Sequence, residues 1–163
     1  MVATTLLRVS MELLVNRLRL DYPDLLFTVG ASNCWSPIGN EIFYTDDERD
    51  GMASLLHEIG HARLKHTNFG SDVELLQKEV DAWQEALRLA NYYSVYIDND
   101  HVEGCLDSYR DWLFKRSRCP ICKATGIQTT VQDYRCLNCN GQWHVTSARM
   151  RRPYRRLATK KEG

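Results

Sequence analysis

The 163-residue chain alternates between runs of regularly spaced apolar residues and short polar breaks. From residue 4 to 20, Leu6, Leu7, Leu13, Leu14 and Leu18 recur at helical intervals and predict a core-packing helix. Tyr22-Pro23-Asp24 ends it, because the residue before a proline is driven out of the helical region. The short apolar run LLFTVG (25–30) predicts a strand, and EIFYT (41–45) a second. ASNCWSPIGN between them, with Pro37 and Gly39, predicts a loop, so the two strands are expected to form a hairpin. The acidic run Asp46, Asp47, Glu48 and Asp50 predicts a turn, and Asp50 is placed to cap a helix spelled GMASLLHEIGHARLKH.

After the break Thr67-Asn68-Phe69-Gly70, Ser71 or Asp72 is expected to cap a long helix reaching about Val95. Val73, Leu76, Val80, Trp83, Leu87 and Ala90 recur there at threes and fours. A break at Asp98-Asn99-Asp100 precedes a last helix, marked by Val102, Leu106, Tyr109 and Leu113, to about Lys115. The tail from 149 has no apolar period and predicts a flexible segment.

Charge sharpens this picture. The net charge is zero, but residues 1–109 hold 8 Lys/Arg against 18 Asp/Glu, a net of −10. Residues 110–163 hold 13 against 3, a net of +10. The change of sign falls just before the first close cysteine pair and predicts a domain boundary near 115. With the cysteine pairs and the aperiodic tail, the expected parts are a helical domain over 1–116, a small module over 117–148 and a basic tail over 149–163. No apolar run is long enough for a membrane span, and the amphipathic N-terminus, broken by Arg8, Glu12, Arg17 and Arg19, is unlike an export signal. A cytoplasmic protein is expected, without a membrane partner.

Four of the six cysteines form two close pairs, Cys119/Cys122 and Cys136/Cys139. In a reducing compartment such pairs point to metal rather than disulfide. Four thiolates close a tetrahedral zinc site with no position left for water, so this zinc is expected to be structural. Thr, Val and Ile between the pairs suit a short hairpin, and Asn140-Gly141 suits the tight turn after the second pair; the segment resembles a zinc ribbon. Cys34 and Cys105, standing alone, are expected to be small core residues.

The predicted second helix contains His57-Glu58-Ile59-Gly60-His61. Residues four apart share a helix face, so His57 and His61 can aim imidazole nitrogens at one metal ion. Glu58, one step round, is placed to act as a base on water. A catalytic zinc needs a third protein ligand. His66 lies five residues past His61, off the ligand face of a regular helix, and its expected place is a helix end. Glu79 is the better candidate. A loop and two turns bring it back across the first helix, and a carboxylate among Leu76 and Val80 is costly to bury unless it is paired or binds metal. Glu74, Asp81 and Glu85 compete. Glu74 and Glu85 suit a solvated face, and Asp81 suits an acceptor behind a ligand imidazole.

HEIGHARLKH followed by KEVDAWQEA resembles the ImmA/IrrE-type zinc metallopeptidases, over roughly residues 40–90. The resemblance puts the ligands on His57, His61 and Glu79, the catalytic carboxylate on Glu58, and the family's Asp/Asn on Asp81. Trp83 stands where an aromatic is usual. Gln77 and Val80 depart from the family's second motif. The fold it implies is α+β: a mainly helical zincin-like metallopeptidase core with a small β-sheet, followed here by a small four-cysteine zinc ribbon.

The function so implied is a zinc-dependent endopeptidase, with one catalytic and one structural zinc, acting on a specific protein such as a DNA-binding regulator. EIFYT is expected to offer the strand edge to which an extended substrate adds. Tyr44, Tyr92, Tyr93 and His101 are the candidates for stabilising the oxyanion. A SprT-like protease acting on DNA-bound proteins is the alternative, with a third histidine as ligand, for which only His101 is available. A third reading is a non-catalytic adaptor. Arg149, Arg151, Arg152, Arg155 and Arg156, interleaved with aromatic residues, suit nucleic acid or an acidic protein surface.

Overall fold

The computed structural model describes residues 9–46, 50–146 and 155–157. Among them the order is α1 (Met11–Asp21), β1 (Leu26–Val29), β2 (Cys34–Ser36), β3 (Glu41–Tyr44), α2 (Gly51–Arg63), α3 (Asp72–Tyr93), α4 (Asn99–Ser117), β4 (Ile127–Gln128), β5 (Asp133–Arg135), β6 (Gln142–Val145) and β7 (Arg155–Leu157). Four helices and two small sheets among the described residues make the chain mixed α and β, in keeping with the expected α+β class. No helix among the described residues is long and apolar enough to cross a membrane.

The chain divides into two compact units. One holds residues up to Thr67 and Lys78–Val102; the other holds Asn68–Gln77 and the chain from Glu103. The 116/117 boundary expected from charge falls inside the second unit, at the end of α4.

In the first unit, α1 starts where Ser10 turns the chain extended and accepts the Leu13 N–H at 3.2 Å. Its buried positions are Met11, Leu14, Val15 and Leu18, an i, i+3, i+4, i+7 stripe. Leu13, expected in that stripe, is half exposed, and Leu6 and Leu7 lie outside the described residues.

The sheet order is β1-β3-β2. The predicted hairpin of 25–30 with 41–45 does not form. β1 runs parallel to β3, and the antiparallel partner is β2, inside the segment expected to be loop. Cys34 and Trp35 suit a strand, but three residues ahead of Pro37 leave too short a run for a period to show. β3 is therefore central, with both sides paired, and the free edges belong to β1 and β2. Asp50 occupies the N-cap of α2 without a side-chain cap bond, and Asp47, Glu48 and Arg49 lie outside the described residues.

Ser71 caps α3 by accepting the Glu74 N–H at 3.1 Å. The buried face of α3 is Glu79, Ala82, Trp83, Ala86, Leu89, Ala90 and Tyr93. It sits one step round from the expected stripe, because small alanines rather than Val80 and Leu87 face the core and Val73 is exposed. Gly60 of α2 meets the Ala82 carbonyl. A Cβ there would lie 2.5 Å from that oxygen, so glycine is what lets the two backbones approach.

In the second unit β4–β7 form one antiparallel sheet whose inner face packs Tyr134, Trp143 and Val145 with Cys119 and Cys136. Arg116 of α4 is fully buried. Its guanidinium lies over the Trp112 ring at 4.3 Å, donates to the Val131 carbonyl at 2.8 Å and stands 3.7 Å from Asp72. Asp72 also accepts from Tyr134 Oη and from Gln128. Burial and the Asp72 charge push the Tyr134 phenol up, so it stays a donor.

Candidate metal centres

The first site is built on α2 and α3. His57 and His61 occupy successive turns of one α2 face, and their Nε2 atoms stand 3.1 Å apart. Glu79 Oε2 lies 3.2 Å from His57 Nε2 and 3.6 Å from His61 Nε2. Tetrahedral coordination with bonds of about 2.05 Å spaces its ligands by about 3.3 Å, so the three atoms fit around one such ion. The donor chemistry agrees. Glu79 is only 5% exposed, and its Oε2 has no hydrogen bond of good geometry. A buried carboxylate aimed at two imidazole nitrogens is the arrangement a cation satisfies. Burial raises the Glu79 pKa, but the two imidazoles outweigh it and hold the carboxyl at about 2.

The two imidazoles are held differently. The His57 ring stacks on Trp83, with centroids 4.3 Å apart and planes 25° apart, while its Nδ1 is buried without a hydrogen bond. Trp83 in turn meets His101 edge-on at 5.7 Å. His61 Nδ1 instead lies 2.9 Å from His66 Nδ1. Burial is the main cause that lowers the His66 pKa; neighbouring His61 and Lys78 add to it, and Asp81 and Glu79 oppose it.

Glu58 accepts the backbone N–H of Trp35 at 2.8 Å, which ties its carboxylate to the edge strand β2. This bond was not legible in the sequence, because it depends on β2. Cys34, beside it, is exposed and Cys105 is half buried, so neither is the core residue expected. Burial, with the charges of Glu58 and Glu41, raises the Cys34 pKa and disfavours its thiolate.

The other expected residues fall as follows. Among the described residues the converging ligands of this site are His57, His61 and Glu79; His101 is not one of them and lies 3.8 Å from Asp50. Glu85 is held by Arg63 at 2.5 Å and Arg88 at 2.6 Å. Asp81 acts on His66 through its charge. Tyr93 donates to Asp21 and, with Tyr92, lines a cavity of about 570 Å³ that also includes Tyr22, Arg63 and Arg88. Tyr44 lines a different cavity with α1.

The second site lies in the sheet unit. Cys119 Sγ is 3.6 Å from Cys139 Sγ, and Cys122 Sγ is 3.5 Å from Cys136 Sγ. A tetrahedron of thiolates with bonds of about 2.3 Å needs sulfurs about 3.8 Å apart, so all four fit one ion. The knuckle turns favour thiolates: the Asn138 side chain, the Ala124 N–H and Cys136 hold Cys122 down at about 6. The Gly141 N–H favours the Cys139 thiolate too, yet burial and the three neighbouring cysteines push that thiol up to about 12. A bound cation removes that mutual repulsion. Asn140 adopts a positive φ of 56°, and a Cβ on Gly141 would press on Ile121 at 2.9 Å, so Asn140-Gly141 makes the expected turn.

Of the basic residues proposed for nucleic acid, Arg155 and Arg156 lie in β7, and Arg156 is exposed. Arg149, Arg151 and Arg152 lie outside the described residues. No family, no curated protein and no solved structure matches the chain.

Proposed function

We propose that this protein is a zinc-dependent endopeptidase of the ImmA/IrrE type, with a zincin-like core and a structural zinc in its four-cysteine module. The observation that carries the reading is the convergence of His57, His61 and Glu79 with a spare carboxylate, Glu58, one residue from a ligand on the same helix. Three ligands rather than four leave a position for water, which is the mark of a catalytic rather than a structural site. Zinc held there supplies Lewis acidity and brings the pKa of water toward neutrality. Glu58 takes the proton from the attacking water and later delivers it to the leaving amine. The Trp35 N–H orients Glu58 for both transfers.

Substrate binding also follows the strand order. β3, where substrate addition was expected, has no free side; β2 is the edge that reaches Glu58. An extended peptide pairing with β2 brings its carbonyl beside that carboxylate. Of the four oxyanion candidates, His101 meets edge-on the Trp83 ring on which His57 stacks. The substrate is proposed to be a protein, and the four-cysteine module, with exposed Lys115, Lys123, Arg135 and Arg156, the part that recruits it or the nucleic acid it sits on.

The test is Glu58→Gln in the full chain. It should retain two zinc ions per chain and lose cleavage of a peptide library read by mass spectrometry. Cleavage at the wild-type rate by Glu58→Gln, or one zinc per wild-type chain, refutes the reading.

A further inference from the structure

We infer that His66 is a positioning residue for the metal ligand His61. The inference rests on reading His57, His61 and Glu79 as a metal site. With His61 Nε2 facing His57 and Glu79, the only ring nitrogen left to His61 is Nδ1, and it lies 2.9 Å from His66 Nδ1. A ligand whose Nε2 carries the lone pair keeps its proton on Nδ1. His61 Nδ1–H therefore donates, and His66 Nδ1 accepts. That bond fixes both the tautomer and the rotation of the His61 ring.

His66 reaches this place by leaving the helix. α2 ends at Arg63, and Lys65 adopts a positive φ of 53°, a conformation that is costly for a residue with a Cβ. The turn is closed by the His66 N–H donating to the His61 carbonyl at 3.0 Å. The chain thus folds the His66 ring back onto His61, with centroids 5.1 Å apart and planes at 68°. On a continued helix a residue five positions on would lie about 140° round the axis, out of reach. The same geometry excludes His66 from the ligand set of this ion: it contacts the His61 nitrogen that faces away from the site.

The two histidine ligands thus differ in their support. His57 is held by a stacked indole and has no acceptor on Nδ1, whereas His61 has the acceptor. Loss of His66 frees one ligand and leaves the other in place.

The experiment compares His66→Ala, His66→Asn and His66→Phe with wild type as full-length protein. Zinc affinity is measured by chelator competition, and the melting temperature of the metal-free protein is recorded. The four-cysteine site is the internal reference. His66→Ala and His66→Phe should bind zinc at the first site about 10- to 100-fold more weakly. His66→Asn, whose Oδ1 can accept the same bond, should recover much of the loss. Metal-free melting and the cysteine site should not change. Wild-type affinity in His66→Ala overturns the inference, as does a loss that Asn leaves unrelieved or that an equal fall in metal-free melting accompanies. Complete loss of binding, as in His61→Ala, would make His66 a ligand and overturn it as well. If wild type binds no zinc at the first site, the metal reading itself fails; if only His66→Ala matches wild type, the positioning role alone fails.

Discussion

Gly60 controls whether α3 can bring Glu79 to the two histidines, and Gly60→Ala isolates that role. The added Cβ would lie 2.5 Å from the Ala82 oxygen and 3.2 Å from its carbonyl carbon and Cα. Side-chain Cβ atoms do not approach within 3.0 Å, so the two helices must part by at least about 0.5 Å. All the obstructing atoms are backbone, and no side chain can rotate away. Overpacking of this kind costs about 1–3 kcal/mol, and the better helix propensity of alanine returns about 1 kcal/mol. The net loss is about 0–2 kcal/mol, small enough for the fold to survive. The metal site is less tolerant. Glu79 lies three residues before Ala82 on α3, and metal–ligand bonds tolerate only about 0.2 Å. Metal-free Gly60→Ala should therefore melt close to wild type while its first site binds zinc at least about tenfold more weakly. Thermal melting of the metal-free protein and chelator competition, with the four-cysteine site as reference, make the measurement. A variant that binds zinc as tightly as wild type and melts higher would refute the claim that close backbone approach sets the ligand geometry.

Glu79→Ala should abolish zinc binding at the first site and leave one zinc per chain, counted by elemental analysis; two would show that another group completes the shell. Asp72→Ala leaves the fully buried Arg116 guanidinium without its carboxylate and should destabilise the second unit by about 2–4 kcal/mol, read by denaturant unfolding. Glu85 carries a pH signature. Hydrogen bonds from Arg88, with the charge of Arg63, lower its pKa below 4.5 despite partial burial. A depressed carboxylate stabilises the fold fully above its unfolded pKa and loses that contribution as pH falls through its folded value. Glu85→Gln should thus flatten the fall in stability below about pH 4.5 and change little above pH 6 beyond the loss of the pair itself; an unchanged acid limb counts against the linkage. Chelation that strips the four-cysteine site should collapse the β4–β7 sheet, seen as loss of Trp143 burial by fluorescence, since so small a sheet folds with its metal.

The convergence of the two pairs of candidate ligands that lie close in sequence was legible because local geometry fixes it. His57 and His61 share a helix face by period alone, and two Cys-x-x-Cys turns close by their own short loops. The buried carboxylate was also legible, since Glu79 in an apolar run needs a partner. What the sequence could not determine is set by contacts between elements that leave no local pattern. The strand order β1-β3-β2 moved the free edge from β3 to β2, because a three-residue strand shows no period. The Trp35 N–H on Glu58 followed from that edge. Arg116 lies over Trp112, one turn back on α4, but it is buried because Asp72 and Tyr134 close over it from distant parts of the chain. His66 shows the division most sharply. Helical phase alone puts it off the ligand face, and the phase argument is sound as long as the helix continues. The backbone turns at Lys65 instead, which no glycine announces, and tertiary structure sets the His66 ring behind His61.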